Sequence, residues 1–366
     1  MSEPRVLQVV LSLNPGGTER LVLELSKRLG ADVCPAVCCL DEPGAWASEL
    51  SEHRIDVQTL HRRPGFHTAL GGAIARIASK YSANVMHCHH YSPFVYGCLA
   101  RLWKPSVRVV FTEHGRLSDA KPSRRRAVAN QFFSRIPAAS FAVSRDLRDH
   151  LIEEGFPARS IDVIYNGIAL GSIPSTLERQ NMRSQLGVGD ETFVVGTVAR
   201  LDPVKDLGTL IRAFSSVRNV PDAVLLIVGD GSERMALESL AASLGVGERT
   251  RFLGQRNDAR TWLAACDAYV NSSISEGVSL TILEAMAAGL AVVATRVGGT
   301  PEVVTEECAR LVPARDPQQL ADALQALASD AEGRARLGIA GRRRAEERFS
   351  LDRMVREYRD VYERVA

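Results

Sequence analysis

The chain has 366 residues, 45% of them apolar and 24% charged, which suits two domains of roughly 150–180 residues each and excludes disorder. No apolar run reaches the roughly 18 residues of a membrane span, and Glu3 and Pro4 ahead of Val6–Leu13 do not fit a signal peptide. Seven irregularly spaced cysteines fit the reduced thiols of a cytosol, so secreted, membrane-spanning and fibrous classes are set aside.

In chain order, short β-branched runs predict strands at Arg5–Leu11, Val33–Leu40, Val57–Leu60, Val85–Cys88, Arg108–Thr112, Ser140–Val143 and Ile161–Ile164. Helical periodicity fills the gaps at Glu19–Leu29, His67–Lys80, Pro93–Leu102 and Arg145–Glu154. Alternating β and α with continuously apolar strands predicts a parallel sheet covered on both faces. Turn formers from Asn166-Gly167 to Ser175 then read as a connector. A second series follows at Phe193–Val198, Ala223–Val228, Thr250–Phe252, Ala268–Asn271, Leu290–Ala294 and Arg310–Val312. Two doubly wound α/β domains are expected, with a ligand cleft at the C-terminal ends of their strands.

The charge supports two tasks. The net value is only +2, yet residues 1–170 carry 21 basic against 16 acidic residues, and the remainder 24 against 27. All eight histidines fall in the first part. No Gly-Lys-Ser/Thr exists, which excludes a P-loop, and Gly229-Asp230-Gly231 lacks the third glycine of a dinucleotide fingerprint. There is no Asp-x-Asp and no zinc spacing of Cys and His, so no metal is expected. Cys34, Cys38 and Cys39 read as core, and the cluster His87-Cys88-His89-His90 as hydrogen-bonding groups at a strand end more than metal ligands.

Three segments carry chemistry. Asn14-Pro15-Gly16-Gly17-Thr18 joins the first strand to the first helix; it is equally a plain turn or a place where backbone approaches an anion at a helix N-terminus. Arg200 and Lys205 follow the first strand of the second half and could clamp a diphosphate. Lys205 is the only lysine after residue 170, in a stretch where arginine serves everywhere else. The run Glu276-Gly277-Val278-Ser279 precedes a helix that contains Glu284 among Leu280, Ile282, Leu283 and Met286. A carboxylate in such apolar surroundings needs a partner, and a pair of ligand hydroxyls would supply one.

These segments, with Thr112-Glu113-His114-Gly115 and Gly298-Gly299-Thr-Pro-Glu, resemble the retaining glycosyltransferases of the GT-B fold, specifically the large family 4. The resemblance covers nearly the whole chain. It implies two Rossmann-like domains facing each other across a cleft. Residues 1–168 would bind the acceptor, 169–349 the nucleotide sugar, and helix 350–366 would return to the first domain. It further implies that Arg200 and Lys205 hold the donor diphosphate, Glu276 the sugar hydroxyls near the backbone of Gly277, Val278 and Ser279, and Glu284 the ribose. Gly16 and Gly17 would approach the phosphates, His114 the donor sugar and reacting centre, and Arg256 the base. His114, Arg200, Lys205 and Glu276 would be the catalytic group. Asp206 stands where many members have Gly, and Ala291 where many have Pro.

The implied reaction moves a sugar, without metal or other cofactor, from a nucleoside diphosphate, most often UDP, to a glycan or lipid-linked acceptor of bacterial surface polysaccharide. A phosphorylase or epimerase on the same fold, or a non-catalytic sugar-nucleotide binder, are the rival readings. Residues 120–145 contain Lys121, Arg124, Arg125, Arg126, Arg135 and Arg145 without an acidic residue, and Val128, Phe132 and Ile136 recur at four-residue spacing. This predicts a basic amphipathic helix whose Arg124, Arg125 and Arg126 contact acceptor or anionic membrane; the alternative is a helix packed on its sheet with arginines in water. A cytoplasmic protein peripheral to the membrane's inner face is expected, with no nucleic-acid partner.

Overall fold

The computed structural model describes residues 3–116, 124–217, 220, 222–256 and 258–366. The chain divides into two compact units, Met1–Gly167 with Leu351–Ala366, and Ile168–Ser350.

The first unit is built on a seven-stranded parallel sheet ordered β3-β2-β1-β4-β5-β6-β7. Its strands are β1 (Val6–Val10), β2 (Ala36–Cys39), β3 (Asp56–Thr59), β4 (Val85–His89), β5 (Arg108–Glu113), β6 (Ala139–Ala142) and β7 (Asp162–Val163). β1, β2 and β4 are buried along their whole length, as strands covered on both faces must be. The expected strand Val33–Leu40 begins only at Ala36. The first helix runs from Gly17 to Val33, and the Cys34 N–H closes it on the Gly30 carbonyl at 2.8 Å. Pro35 then ends any helical continuation.

The second unit has a six-stranded parallel sheet ordered β10-β9-β8-β11-β12-β13. These are β8 (Val194–Val198), β9 (Val224–Val228), β10 (Thr250–Phe252), β11 (Ala268–Asn271), β12 (Ala291–Thr295) and β13 (Ala309–Val312). Its core joins Val195, Leu225, Ile227, Val270 and Val293 from the strands to Leu210, Ile211, Phe214, Leu320 and Leu324 from covering helices. In both units the strand order reverses beside the first strand, between β1 and β4 and between β8 and β11. Such switch points leave a crevice at the carboxyl ends of the strands. Gly16, His89 and His114 follow or end strands at that edge of the first sheet, and Arg200 and Glu276 at that edge of the second.

The helix Leu351–Val365 belongs to the first unit. Its stripe Leu351, Met354, Val355, Tyr358, Val361 and Tyr362 is buried. All seven cysteines are buried and unbridged; burial raises the Cys34 thiol to about 11 and Cys39 to about 12, which makes them core residues rather than nucleophiles. Among the described residues, no helix is long and apolar enough to cross a membrane.

Candidate functional site

In the second unit, the chain leaving β8 is held against the end of β9. The Ala199 N–H donates to the Val228 carbonyl at 3.0 Å and the Leu201 N–H to Asp230 at 2.9 Å. A single 3-10 turn, Pro203–Lys205, then presents Lys205. Asp206 follows in the left-handed region at φ 45° and ψ 46°, which explains why glycine suits this position. Aspartate also tolerates that region, and here its carboxylate accepts from the Thr209 N–H to cap the helix Leu207–Ser216.

The loop after β11 is tied to this turn. Ser272 Oγ donates to the Lys205 carbonyl at 2.8 Å, and the Ile274 N–H to the Val204 carbonyl at 2.9 Å. From the other side, Thr295 Oγ1 at the end of β12 donates to the Ser273 carbonyl. Gly298 has φ 49°, and a Cβ there would lie 1.8 Å from the Glu276 carbonyl oxygen, which also accepts the Gly299 N–H at 3.2 Å. Only glycine fits at 298, so the Gly298-Gly299 pair shapes the backbone that carries Glu276.

Lys205 Nζ donates to Glu276 Oε1 at 2.5 Å, and the same oxygen accepts from Ser273 Oγ at 2.7 Å and Asn271 Nδ2 at 3.2 Å. Both side chains of the ion pair are largely buried. The two residues of the expected clamp have different partners. Lys205 is joined to Glu276, whereas Arg200 lies 72% exposed and pairs with Asp202 at 3.3 Å. Three donors converge on one oxygen of Glu276, so the carboxylate is held in one orientation.

Gly277, Val278 and Ser279 lead into the helix Leu280–Ala287, with Ser279 as its N-cap residue. The first-turn N–H groups of a helix have no intrahelical partners and carry partial positive charge. Ser279 Oγ and Thr281 Oγ1 lie 3.1 Å apart, and the buried Tyr269 hydroxyl donates to Thr281 Oγ1 at 2.7 Å, fixing the turn to β11. Glu284 is half-buried on this helix. Arg256 is exposed, ion-paired with Asp258 at 2.9 Å and stacked over Trp262.

In the first unit, Gly16 is the N-cap of the helix Gly17–Val33. Thr18 Oγ1 meets His90 Nε2 at 2.9 Å, and His90 Nδ1 meets the buried Glu113 Oε1 at 2.7 Å. Burial alone would lower the His90 pKa, but the hydrogen bond and charge of Glu113, with the charge of Glu19, raise it. His87, His89 and His114 lie close by. His87 joins Tyr362 at 2.6 Å and Thr112 at 2.8 Å, while His89 joins Gln8 at 2.7 Å and His114 at 2.9 Å. Burial pushes His87, His89 and His114 well below the ordinary histidine range. Among the described residues, no group of three or more His, Cys, Asp or Glu is arranged to hold a metal ion. Gln8 escaped the sequence reading because a lone polar residue in an apolar strand carries no spacing signal, and Thr18 and Glu113 stood inside quoted motifs without a role of their own.

The basic helix spans Arg124–Phe133. The side chains of Arg124 and Arg125, and residues 117–123 with the expected helix start at Pro122 and Ser123, lie outside the described residues. Arg126 is not without an acidic partner: it donates to the buried Glu154 Oε2 at 2.8 Å and stacks over Tyr91. That partner is invisible to local spacing because it caps the C-terminus of a different helix, Arg145–Glu153, 28 residues on.

Two family patterns match the chain. "Glycosyltransferase Family 4" matches residues 15–171, and "Glycosyl transferases group 1" matches residues 178–344. An uncharacterized glycosyltransferase of Methanocaldococcus jannaschii is 30% identical over 291 residues, 76% of this chain and 75% of that protein. The N-acetyl-alpha-D-glucosaminyl L-malate synthase of Bacillus anthracis is 26% identical over 85% of this chain and 82% of its own. Among solved structures, Anabaena HepE in complex with UDP superposes with a TM-score of 0.88 at 26% identity, covering 98% of this chain and 99% of HepE.

Proposed function

We infer that this chain, which belongs to glycosyltransferase family 4 and has the two Rossmann-like domains of a GT-B enzyme, transfers a hexosyl group from a UDP-sugar to a glycan or lipid-linked acceptor, with retention and without a metal ion. The observation that carries this reading is the part-buried Lys205–Glu276 pair at the carboxyl edge of the second sheet, next to the N-terminus of helix Leu280–Ala287. When the bond from the anomeric carbon to the diphosphate breaks, negative charge collects on phosphate oxygen. Lys205, Arg200 and the first-turn N–H groups are cations and dipoles of the kind that stabilise it. Glu276, held through Oε1, keeps Oε2 for hydroxyls of the donor sugar, and Glu284 serves the ribose. The acceptor oxygen bonds to the anomeric carbon on the face the diphosphate leaves, and its proton passes to the departing phosphate oxygen. That route retains configuration. The complexes of HepE with UDP and with UDP-glucose support uracil as the base.

Incubation with labelled UDP-sugars and bacterial glycan or lipid-linked acceptors tests the reading. Transfer should occur and survive EDTA, and UDP at 100 times its dissociation constant should stabilise the fold by about 2.7 kcal/mol. Strict dependence on added metal would overturn the metal-free mechanism. Stabilisation by GDP but not UDP would overturn the base, and tight binding without turnover would favour a sensor.

A surface that receives a lipid-linked acceptor belongs to the same reading. It rests on the basic helix, where Val128 and Phe132 are 68% and 74% exposed on an element that opens with three arginines. Flotation with anionic vesicles should show binding at low salt that weakens at high salt and falls in the chain with Val128 and Phe132 changed to Ser. Binding that ignores both changes removes this surface from the mechanism.

A further inference from the structure

Two short contacts in the first unit form a directed chain from β1 to the residue after β5. Gln8 Oε1 lies 2.7 Å from His89 Nε2, and His89 Nδ1 lies 2.9 Å from His114 Nε2. Gln8 and His89 are buried, on the adjacent strands β1 and β4, where Gln8 faces His87 in the pairing register. Burial keeps the two rings neutral, so each carries one proton. With the Gln8 amide oxygen facing His89, the direction then follows from donor and acceptor capacity. An amide oxygen only accepts, so His89 bears its proton on Nε2. Its bare Nδ1 must accept, so His114 bears its proton on Nε2. The His114 Nδ1 is left as a lone pair, and this buried atom has no hydrogen-bond partner.

An unpaired buried acceptor costs free energy unless a ligand supplies the missing donor. The backbone gives a second anchor, since the His114 N–H donates to Glu113 Oε1 at 3.1 Å, while Glu113 itself receives His90. Ring and backbone are therefore both fixed before any substrate arrives.

We propose that Gln8 and His89 are positioning residues that set the tautomer of His114, so that its Nδ1 accepts a hydrogen bond from a hydroxyl of a bound sugar. The inference rests on the glycosyl-transfer reading for the identity of that hydroxyl. The tautomer itself is independent of it.

Nitrogen-15 NMR of the histidine side chains in the wild-type chain, at neutral pH and without ligand, tests the tautomer directly. His114 should show a protonated Nε2 and a bare Nδ1. A proton on Nδ1 would overturn the proposal: it would mean that the Gln8 amide, whose Nε2 makes no hydrogen bond in this orientation, is reversed and the whole chain with it. Two variants test the consequence. Gln8→Glu keeps an accepting oxygen and should keep both the tautomer and turnover. Gln8→Met keeps the volume, removes the acceptor, and should mix the tautomers and lower kcat roughly tenfold or more with UDP affinity unchanged. A purely structural Gln8 would tolerate Met better than a buried carboxylate, the opposite order, and that result would overturn the positioning role. If the wild type transfers no sugar at all, the function is wrong while the NMR result still stands or falls alone.

Discussion

Replacement of Lys205 by Ala should reduce kcat/KM for the sugar nucleotide by roughly one to two decades while the chain stays folded, because a hydrogen bond to a charged group contributes about 1.5–3 kcal/mol. The ammonium is 2.5 Å from Glu276 Oε1 and sits on a turn secured by backbone and side-chain bonds that do not involve Nζ. Its loss leaves the geometry of the loop intact. On the proposed mechanism it removes a cation from the leaving diphosphate, and it leaves Glu276, with Ser273 and Asn271 as its remaining donors, a part-buried charge without a counter-ion. The two losses separate in a double-mutant cycle with Glu276→Gln. If Lys205 acts only by orienting Glu276, the double variant should be no worse than Glu276→Gln alone. If it also meets the diphosphate, the double variant should lose further activity and bind UDP more weakly than Glu276→Gln. Wild-type kinetics in Lys205→Ala, with wild-type circular dichroism, would remove the pair from the mechanism.

The sequence showed the strands because burial on both faces writes itself as unbroken apolar runs, and every expected strand has a counterpart in the two sheets. Boundaries moved where backbone chemistry overrode hydrophobicity. Val33 is apolar enough for a strand, but the first helix claims it and Pro35 delays the next element. Positions within the site were legible where a motif placed charge next to glycine. Their partners were not. Nothing in the spacing of Arg200 and Lys205 indicated that one pairs with Glu276, 71 residues on, while the other turns to its neighbour Asp202. The unbroken positive charge of Arg124–Arg126 likewise concealed the Arg126–Glu154 pair. The histidine cluster was visible as composition, but only the fold shows that both ring nitrogens of His87 and His89 are already engaged within the first unit.

Ending the chain at Phe349 should unfold the first unit or lower its urea midpoint severely, a larger effect on stability than any single substitution. The helix Leu351–Val365 buries six apolar or aromatic side chains on that unit. At about 1.5–3 kcal/mol each, their removal forfeits on the order of 9–18 kcal/mol as an upper bound, comparable with the roughly 5–15 kcal/mol that a domain has in total. Polar contacts add specificity. The Tyr362 hydroxyl meets His87 Nδ1 at 2.6 Å, and Tyr358 meets Thr112 at 3.2 Å, on the two strands that carry His89 and lead to His114. At the rim, Arg28 pairs with Asp352, and Arg353 donates to the Tyr165 carbonyl at 2.7 Å. Without the helix, His87 and Thr112 would lose these partners and face water. Tyr362→Phe separates the two contributions. It keeps the ring and removes one hydrogen bond to a buried histidine, so it should cost about 1–3 kcal/mol. Urea unfolding followed by circular dichroism, with hydrogen exchange read at β4 and β5, measures both variants. An unchanged midpoint in the chain ending at Phe349 would show that the first sheet is stable without the returning helix, and that the buried stripe serves some other contact.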